Sequence, residues 1–212
     1  MTRIETIEAR VHGRYAVEEG DPARVLAGFH GYGQNAGEML DHLRTIAPAG
    51  WTIVSVQGLH RFYRPRSRIT VASWMTREDR DLLIADTIAY VDAVIDAVAG
   101  PATLTRLVYC GFSQGVATAF RAAVRGRRRA DAVIALGGDV PPELLEDHAA
   151  AFPRTLLARG RGDLVYGDVT LERDRAALDA RGTIVETFTA DGGHEWTDAF
   201  RARAAALLHD LA

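Results

Sequence analysis

The chain has 212 residues, of which 25 are basic and 28 acidic, with a net charge of −3. This length suits one domain with a single substantial core, and we predict one domain over residues 1–212. The charge gives no support to a general affinity for nucleic acid, and no segment has the roughly 18 consecutive apolar residues of a membrane span. Every basic residue is arginine, so the absence of lysine excludes Schiff-base chemistry, a Ser-Lys dyad and a P-loop.

The N-terminus and the cysteine content point to a cytoplasmic protein. Residues 1–8 alternate apolar and charged side chains and lack the apolar core of a signal peptide. Cys110 is the only cysteine, which excludes an internal disulfide and a cysteine-based zinc site within one chain. The sequence contains no H-E-x-x-H motif, no EF-hand loop and no G-x-G-x-x-G after a strand, so we expect neither metal nor cofactor.

Short apolar runs alternate with longer amphipathic stretches, which predicts an α/β fold with a mostly parallel sheet and helices on both faces. Alternation at 7–17 predicts an antiparallel edge strand. Runs rich in Val, Ile and Leu predict strands at 24–29, 51–56, 106–110, 132–136, 155–158 and 183–188. Helices are predicted at 36–46, 80–98, 114–124, 143–150, 171–180 and 195–211. The basic stretch at 58–73 has no clean periodicity and predicts a long loop.

A G-x-S-x-G pattern follows the strand at 106–110. Gly111-Phe112-Ser113-Gln114-Gly115 precedes a helical run, which is the strand-turn-helix context of a nucleophile elbow. In such an elbow a strained turn projects the serine hydroxyl, and the helix start directs N–H groups at developing negative charge. We predict Ser113 as the nucleophile. The alternative is a tight turn in a non-catalytic α/β protein.

A second glycine loop follows the strand at 24–29. It reads His30-Gly31-Tyr32-Gly33. In hydrolases with this kind of elbow, one oxyanion-hole N–H comes from such a loop and the other from the residue after the nucleophile. We therefore predict Tyr32 and Gln114 as the oxyanion-hole donors. His30 is expected to tie loops together rather than to act as the base.

The base and the acid are expected in the chain order serine, acid, histidine. His194 lies in a glycine loop after the last predicted strand and is the predicted base. Asp163 follows the strand at 155–158 and is the predicted acid, which would accept the Nδ1–H bond of that histidine. Asp139, after the preceding strand, is the main rival. Asp168 is a weaker rival because it is expected to cap the next helix.

Together these segments resemble the phospholipase/carboxylesterase group of α/β-hydrolases, which includes the acyl-protein thioesterases. The matching blocks are His30-Gly31-Tyr32-Gly33, Gly111-Phe112-Ser113-Gln114-Gly115, Asp163-Leu164-Val165 and Gly193-His194-Glu195. The resemblance extends from about residue 26 to the C-terminus. It implies the α/β-hydrolase fold without a large cap domain, ester or thioester hydrolysis, and no cofactor. It also implies that Trp74 borders the acyl site.

Two departures from that group leave the substrate open. Residues 75–80 do not resemble the block that follows the corresponding tryptophan, and residues 60–68 are unusually basic and aromatic. The arginines of this stretch are either solvated or recognise a carboxylate, and the two interpretations are evenly matched.

The chain is too short for a cap, so only residues 58–76 are long enough to overhang the site. We predict Tyr63, Trp74 and Met75 as walls on that side, and Tyr166 and Trp196 on the other. The expected activity is hydrolysis of small-molecule esters or thioesters with short to medium acyl groups. A serine peptidase or a lactone hydrolase on the same fold is an alternative, and a ligand-binding protein without turnover is a less favoured one. A homodimer is neither favoured nor excluded.

Overall fold

The computed structural model describes all 212 residues. Its strands are β1 (Arg14–Glu18), β2 (Asp21–Phe29), β3 (Trp51–Gln57), β4 (His60–Tyr63), β5 (Thr70–Ser73), β6 (Arg106–Phe112), β7 (Ala132–Leu136), β8 (Arg154–Gly160) and β9 (Val185–Ala190). Seven of them form one sheet in the order β1-β3-β2-β6-β7-β8-β9. All neighbours in this sheet are parallel except β1 and β3.

The helices lie on both faces of this sheet. They are α1 (Ala36–Arg44), α2 (Arg80–Ala99), α3 (Gln114–Arg125), α4 (Pro142–Leu145), α5 (Asp168–Asp179) and α6 (Asp198–Leu211). Side chains of β2 alternate between two apolar clusters, because successive residues of a strand point to opposite faces. Val25 and Phe29 pack in the cluster with α2, α3 and α5, whereas Leu26 packs in the cluster with α1 and α6. The predicted α/β architecture is confirmed.

The predicted edge strand is confirmed in direction but is shorter than expected. β1 pairs with β3 from Arg14 opposite Gln57 to Glu18 opposite Ile53. Because β3 ends at Gln57, residues before Arg14 have no β3 residue left to pair with, and residues 7–13 form no strand.

The prediction of a long loop at 58–73 is wrong, because β4 and β5 form an antiparallel hairpin. His60 lies opposite Ser73 and Tyr63 opposite Thr70, and the Arg64 N–H donates to the Ile69 carbonyl at 2.9 Å across the turn. Each strand has only four residues, so the alternation is too short to stand out among the arginines.

Two helices are shorter than predicted. α4 is a single turn that follows Pro141, instead of a helix over 143–150. α6 begins at Asp198 rather than at 195, because the Thr197 side chain caps it by accepting the Phe200 N–H at 3.1 Å. The later start leaves residues 191–197 outside regular structure, in the loop that carries His194.

The parallel strands end at one edge of the sheet, and the predicted site residues follow those ends. β2 leads to His30, β6 to Ser113, β7 to Gly137, β8 to Asp163 and β9 to His194. In open α/β sheets this edge is where ligands bind. None of the helices is both long and apolar enough to span a membrane.

Candidate active site

Ser113 occupies a strained turn between β6 and α3. Its φ of 53° and ψ of −121° lie in a region that residues with a Cβ rarely adopt. The Ser113 N–H donates to the Leu136 carbonyl at 2.9 Å, which ties the turn to the end of β7. A Cβ on Gly111 would lie 2.5 Å from the Val116 Cα, and one on Gly115 would overlap the Phe29 carbonyl. Both glycines of the motif are therefore required by close backbone approach.

His194 is hydrogen-bonded to a buried carboxylate. Its Nδ1 lies 2.8 Å from Asp163 Oδ2, and the other carboxylate oxygen accepts the N–H groups of Val165 at 2.8 Å and Tyr166 at 3.0 Å. Burial alone would raise the pKa of Asp163, but the N–H bonds and the His194 ring outweigh it and hold this pKa below its ordinary value. A carboxylate at Asp163 selects the Nδ1–H tautomer of the ring and leaves Nε2 free to accept a proton.

The three predicted residues meet around the turn after β7. A Cβ on Gly137 would lie 2.9 Å from His194 Cε1 and 3.2 Å from Asp163 Oδ2, while one on Gly138 would lie 2.5 Å from the Ser113 carbonyl oxygen. The His194 ring also packs against Phe112, with 5.0 Å between centroids. The Ser113 hydroxyl makes no hydrogen bond to the ring in this structure. Such bonds are often long before substrate binds.

The rival acids have other partners. Asp139 is half exposed, and its nearest cation is Arg173, with 3.9 Å between the guanidinium and the carboxylate. Asp168 accepts a hydrogen bond from Arg159. Neither contacts His194, so the geometry supports Asp163 as its carboxylate partner.

The Tyr32 N–H group, in the loop after β2, has no partner. The Gly31 N–H donates to Gln34 Oε1 at 2.8 Å and the Gly33 N–H to the Ala72 carbonyl at 3.0 Å, whereas the Tyr32 N–H makes no hydrogen bond. Gln114 is the first residue of α3, where backbone N–H groups lack intrahelical acceptors. Both predicted oxyanion-hole donors are therefore unused by the fold.

His30 is buried and bridges two loops. Its Nδ1 donates to the Gly31 carbonyl at 2.7 Å, and its Nε2 accepts the Gly58 N–H at 3.0 Å. Burial lowers its pKa, despite the Gly31 bond. A neutral ring satisfied on both nitrogens fits the predicted structural role.

The Gln114 side chain joins the elbow to the segment after β5. Its Oε1 accepts the Trp74 N–H at 3.0 Å, and its Nε2 donates to the Met75 carbonyl at 3.3 Å. The backbone of this segment is therefore held beside the nucleophile, although its side chains point elsewhere.

A cleft of about 430 Å³ opens beside Ser113. Its surface is mixed, with polar and apolar parts of similar extent, and its lining includes Ser113, Asp139, Val165, Tyr166, Thr170 and Arg173. Tyr166 is the one predicted substrate contact that lines it. The Tyr166 hydroxyl donates to Asp174 at 3.2 Å, so the ring is fixed against α5.

The structure does not place the other predicted walls in this cleft. Trp74 is 1% exposed and its Nε1 donates to the His30 carbonyl at 2.8 Å, while Trp196 is buried and stacks on His42. Both tryptophans are core residues, which corrects their prediction as walls. Tyr63 is exposed on the β4–β5 hairpin, and the Met75 sulfur lies 3.8 Å from Arg121. Large apolar side chains near the site are used to pack the loops that hold it.

Sequence reasoning missed Thr170 and Arg173 as lining residues and treated Asp139 only as a rival acid. A signal for Asp139 was present, because it follows β7 at the edge where the strands end. Arg173 lies inside α5, and helical periodicity alone does not show which residues of that helix reach the cleft. The structure contains no group of three or more His, Cys, Asp or Glu side chains arranged to hold a metal ion.

No protein-family model matches the chain, and no curated protein matches its sequence. Solved structures do match. The esterase PE8 superposes with a TM-score of 0.75 and 22% identity, covering 95% of this chain and 100% of that one. A Zea mays acyl-protein thioesterase 2 superposes with a TM-score of 0.72 and 19% identity, covering 94% of this chain and 99% of that one. A Bacillus cereus carboxylesterase superposes with a TM-score of 0.71 and 16% identity, covering 94% of this chain and 95% of that one.

These likenesses extend over nearly the whole of each chain, at identities that establish a shared fold. They agree with the resemblance carried by the four sequence blocks, since the matching structures include esterases and an acyl-protein thioesterase. The elbow at Ser113, the carboxyl-edge location of His194 and Asp163, and the mostly parallel sheet are common to this architecture. The chain has the α/β-hydrolase fold, in the form found in these esterases and thioesterases.

Proposed function

We propose that this chain is a serine hydrolase that cleaves carboxylic ester or thioester bonds of small molecules. Ser113 is the nucleophile, His194 the general base and acid, and Asp163 the carboxylate that orients it. The backbone N–H groups of Tyr32 and Gln114 form the oxyanion hole. The protein acts as one domain in the cytoplasm and needs neither metal nor cofactor.

The proposed reaction proceeds through an acyl-enzyme. Ser113 Oγ attacks the carbonyl carbon while His194 Nε2 takes the hydroxyl proton, and the carbonyl oxygen becomes an oxyanion that accepts the two N–H groups. As the tetrahedral intermediate collapses, the bond to the leaving oxygen or sulfur breaks and His194 protonates the leaving group. Water then attacks the acyl carbon and gives a proton to His194. The acid is released when Ser113 Oγ regains that proton.

The observation that carries this proposal is the arrangement around Gly137 and Gly138. This turn lies against the His194 ring, the Asp163 carboxylate and the Ser113 backbone, so the three groups lie at one edge of the sheet. The strained backbone at Ser113 supports the same conclusion. Strain of this kind costs about 1–3 kcal/mol and persists where the surrounding structure enforces it, often at active sites.

Covalent labelling tests the proposal directly. A fluorophosphonate probe reacts with an activated serine, so we expect stoichiometric labelling of the wild type and none of Ser113→Ala. Ser67→Ala is a matched control because Ser67 lies in the turn of the β4–β5 hairpin, and it should label normally. A folded wild-type protein that neither labels nor hydrolyses p-nitrophenyl acetate would instead support the binding-protein alternative.

A further inference from the structure

The cleft beside Ser113 contains two charged side chains, which a pocket that selects only simple acyl chains does not need. Asp139 and Arg173 line the same cleft as Ser113. Arg173 Nε donates to Asp174 Oδ1 at 2.9 Å and Nη2 donates to the same oxygen at 2.5 Å, while Nη1 has no partner. The guanidinium therefore keeps both N–H groups of Nη1 and one N–H group of Nη2 free, and Nη2 is the nitrogen nearest to Asp139.

Asp174 holds this guanidinium in a fixed position. It is fully buried, and its second oxygen accepts the Val140 N–H at 2.9 Å and the Tyr166 hydroxyl at 3.2 Å. A cation held by an anchored carboxylate loses little freedom when a ligand binds, because its geometry is already set. Arg173 is therefore preorganised even though half of its side chain is exposed.

Asp139 supplies the opposite chemistry. Its carboxylate accepts no hydrogen bond from the protein, and its nearest cationic atom is Arg173 Nη2 at 3.9 Å. This separation is too long for a direct hydrogen bond. One oxygen atom between the two groups could make a bond of normal length to each, as bridging waters do.

The pair selects the kind of group that fits between its members. A carboxylate would be repelled by Asp139, and an ammonium by Arg173. A hydroxyl can donate to Asp139 and accept from Arg173 at the same time. An aliphatic carbon would leave both charged groups without a partner.

We propose that Asp139 and Arg173 form a specificity site for a hydroxyl group on the substrate, so that the enzyme prefers hydroxylated esters to their plain aliphatic counterparts. This inference rests on the proposed function, because the cleft is a substrate site only if Ser113 is the nucleophile. The hydroxyl belongs either to the acyl group or to the alcohol.

Two substrate pairs test the inference and locate the hydroxyl. The first compares p-nitrophenyl 3-hydroxybutyrate with p-nitrophenyl butyrate, and the second compares glycerol monobutyrate with propyl butyrate. We expect kcat/KM to favour the hydroxylated member of at least one pair by about tenfold, as hydrogen bonds to charged groups in a solvated cleft allow. Preference in the first pair assigns the hydroxyl to the acyl group, and preference in the second assigns it to the alcohol.

Variants then assign the preference to the two residues. Asp139→Ala and Arg173→Ala should each bring the hydroxylated-to-plain ratio of kcat/KM close to one. Arg175→Ala is the matched control, because Arg175 lies on the same helix but pairs with Glu172 and Asp179 on the surface, and its ratio should equal that of the wild type. Arg173→Ala also removes the partner of buried Asp174, so Asp139→Ala decides the matter if the arginine variant does not fold.

The outcomes separate this inference from the proposed function. Equal kcat/KM within both pairs, with all four esters cleaved, overturns the specificity site and leaves the hydrolase intact. A preference that survives in folded Asp139→Ala also overturns the assignment. Failure to cleave any ester refutes the proposed function, and with it the inference.

Discussion

The two sides of the candidate site are held in place by different means. On one side, Ser113, Asp163 and His194 follow the ends of three parallel strands and are fixed by backbone hydrogen bonds and close glycine contacts. On the other, Asp139 and Arg173 are half-exposed side chains, and Arg173 is held by a buried carboxylate. In the proposed enzyme, the bond-breaking side is therefore set by the fold, whereas the recognition side depends on a few side chains that can change without altering it.

The largest effect is expected on the bond-breaking side. Ser113→Ala removes the proposed nucleophile and His194→Ala the proposed base, and each should lower kcat for p-nitrophenyl acetate by roughly 10³ or more. The circular dichroism spectrum should be unchanged, because neither side chain is part of the core. Turnover near the wild-type value in either folded variant would contradict the assignment.

Replacing each of the two aspartates by asparagine distinguishes the roles of the two sides. Asp163→Asn removes the charge that selects the Nδ1–H tautomer, so kcat should fall by roughly 10² or more. Asp139→Asn should reduce kcat for p-nitrophenyl acetate much less, because Asp139 does not contact His194. Steady-state kinetics of both variants measure this ranking. The reverse order would make Asp139 the acid.

Substitution of Trp74 distinguishes a role in stabilising the fold from a role as a wall of the substrate pocket. Because its indole is buried and donates to the His30 carbonyl, Trp74→Ala should destabilise the fold by about 3–5 kcal/mol. Urea unfolding measures this loss, and Trp74→Phe should cost less because it keeps most of the apolar contact. An unchanged free energy of unfolding together with an altered acyl-chain preference would instead make Trp74 a wall of the pocket.

The sequence predicts the fold, and its site prediction for the bond-breaking side rests on local patterns of the same kind. The elbow motif marks Ser113, and the position after a strand marks Asp163 and His194, since parallel strands bring their carboxyl ends to one edge. Strand positions are predicted for the same reason, because the buried strands are continuous apolar runs.

The recognition side was less accessible to sequence reasoning. Trp74 and Trp196 are large and close to site residues in the chain, yet the structure buries both under the loops. Arg173 acquires its place from Asp174 and from the packing of α5 against Tyr166, which involves side chains that no periodicity distinguishes. The β4–β5 hairpin was missed because four-residue strands carry little alternation.

Low pH should destabilise the recognition side through loss of the Glu143 charge. Glu143 lies in α4, the helix that follows the Asp139 turn, and accepts hydrogen bonds from Arg80 and Arg121. Burial alone would raise its pKa, but hydrogen bonds from Arg121 and Arg80 lower it from 4.5 to about 2. Because the folded pKa is the lower one, the stability that this charge contributes is complete above about pH 4.5 and is lost as pH falls towards 2. The contribution is at most about 3 kcal/mol.

Urea unfolding of Glu143→Gln and wild type at several pH values measures this contribution. The difference in unfolding free energy should be largest at pH 7 and shrink as the pH approaches 2. Glu172→Gln is a suitable control because Glu172 forms an exposed pair with Arg175, and exposed pairs contribute little. A difference that does not change with pH would show that Glu143 acts through packing and not through its charge.

The smallest expected effect is the dependence on acyl-chain length. Each methylene that a cleft buries contributes about 0.8 kcal/mol, or roughly fourfold in kcat/KM, and methylenes left in water contribute nothing. A cleft of about 430 Å³ with two charged side chains in its lining can bury only a few of them. Across p-nitrophenyl esters from acetate to palmitate, kcat/KM should rise over the first few carbons and then level off or fall. The profile of folded Trp74→Phe should follow that of the wild type, because Trp74 does not line the cleft. A continuous rise to palmitate would require a long apolar tunnel that this structure lacks, and would move recognition away from the Asp139–Arg173 side.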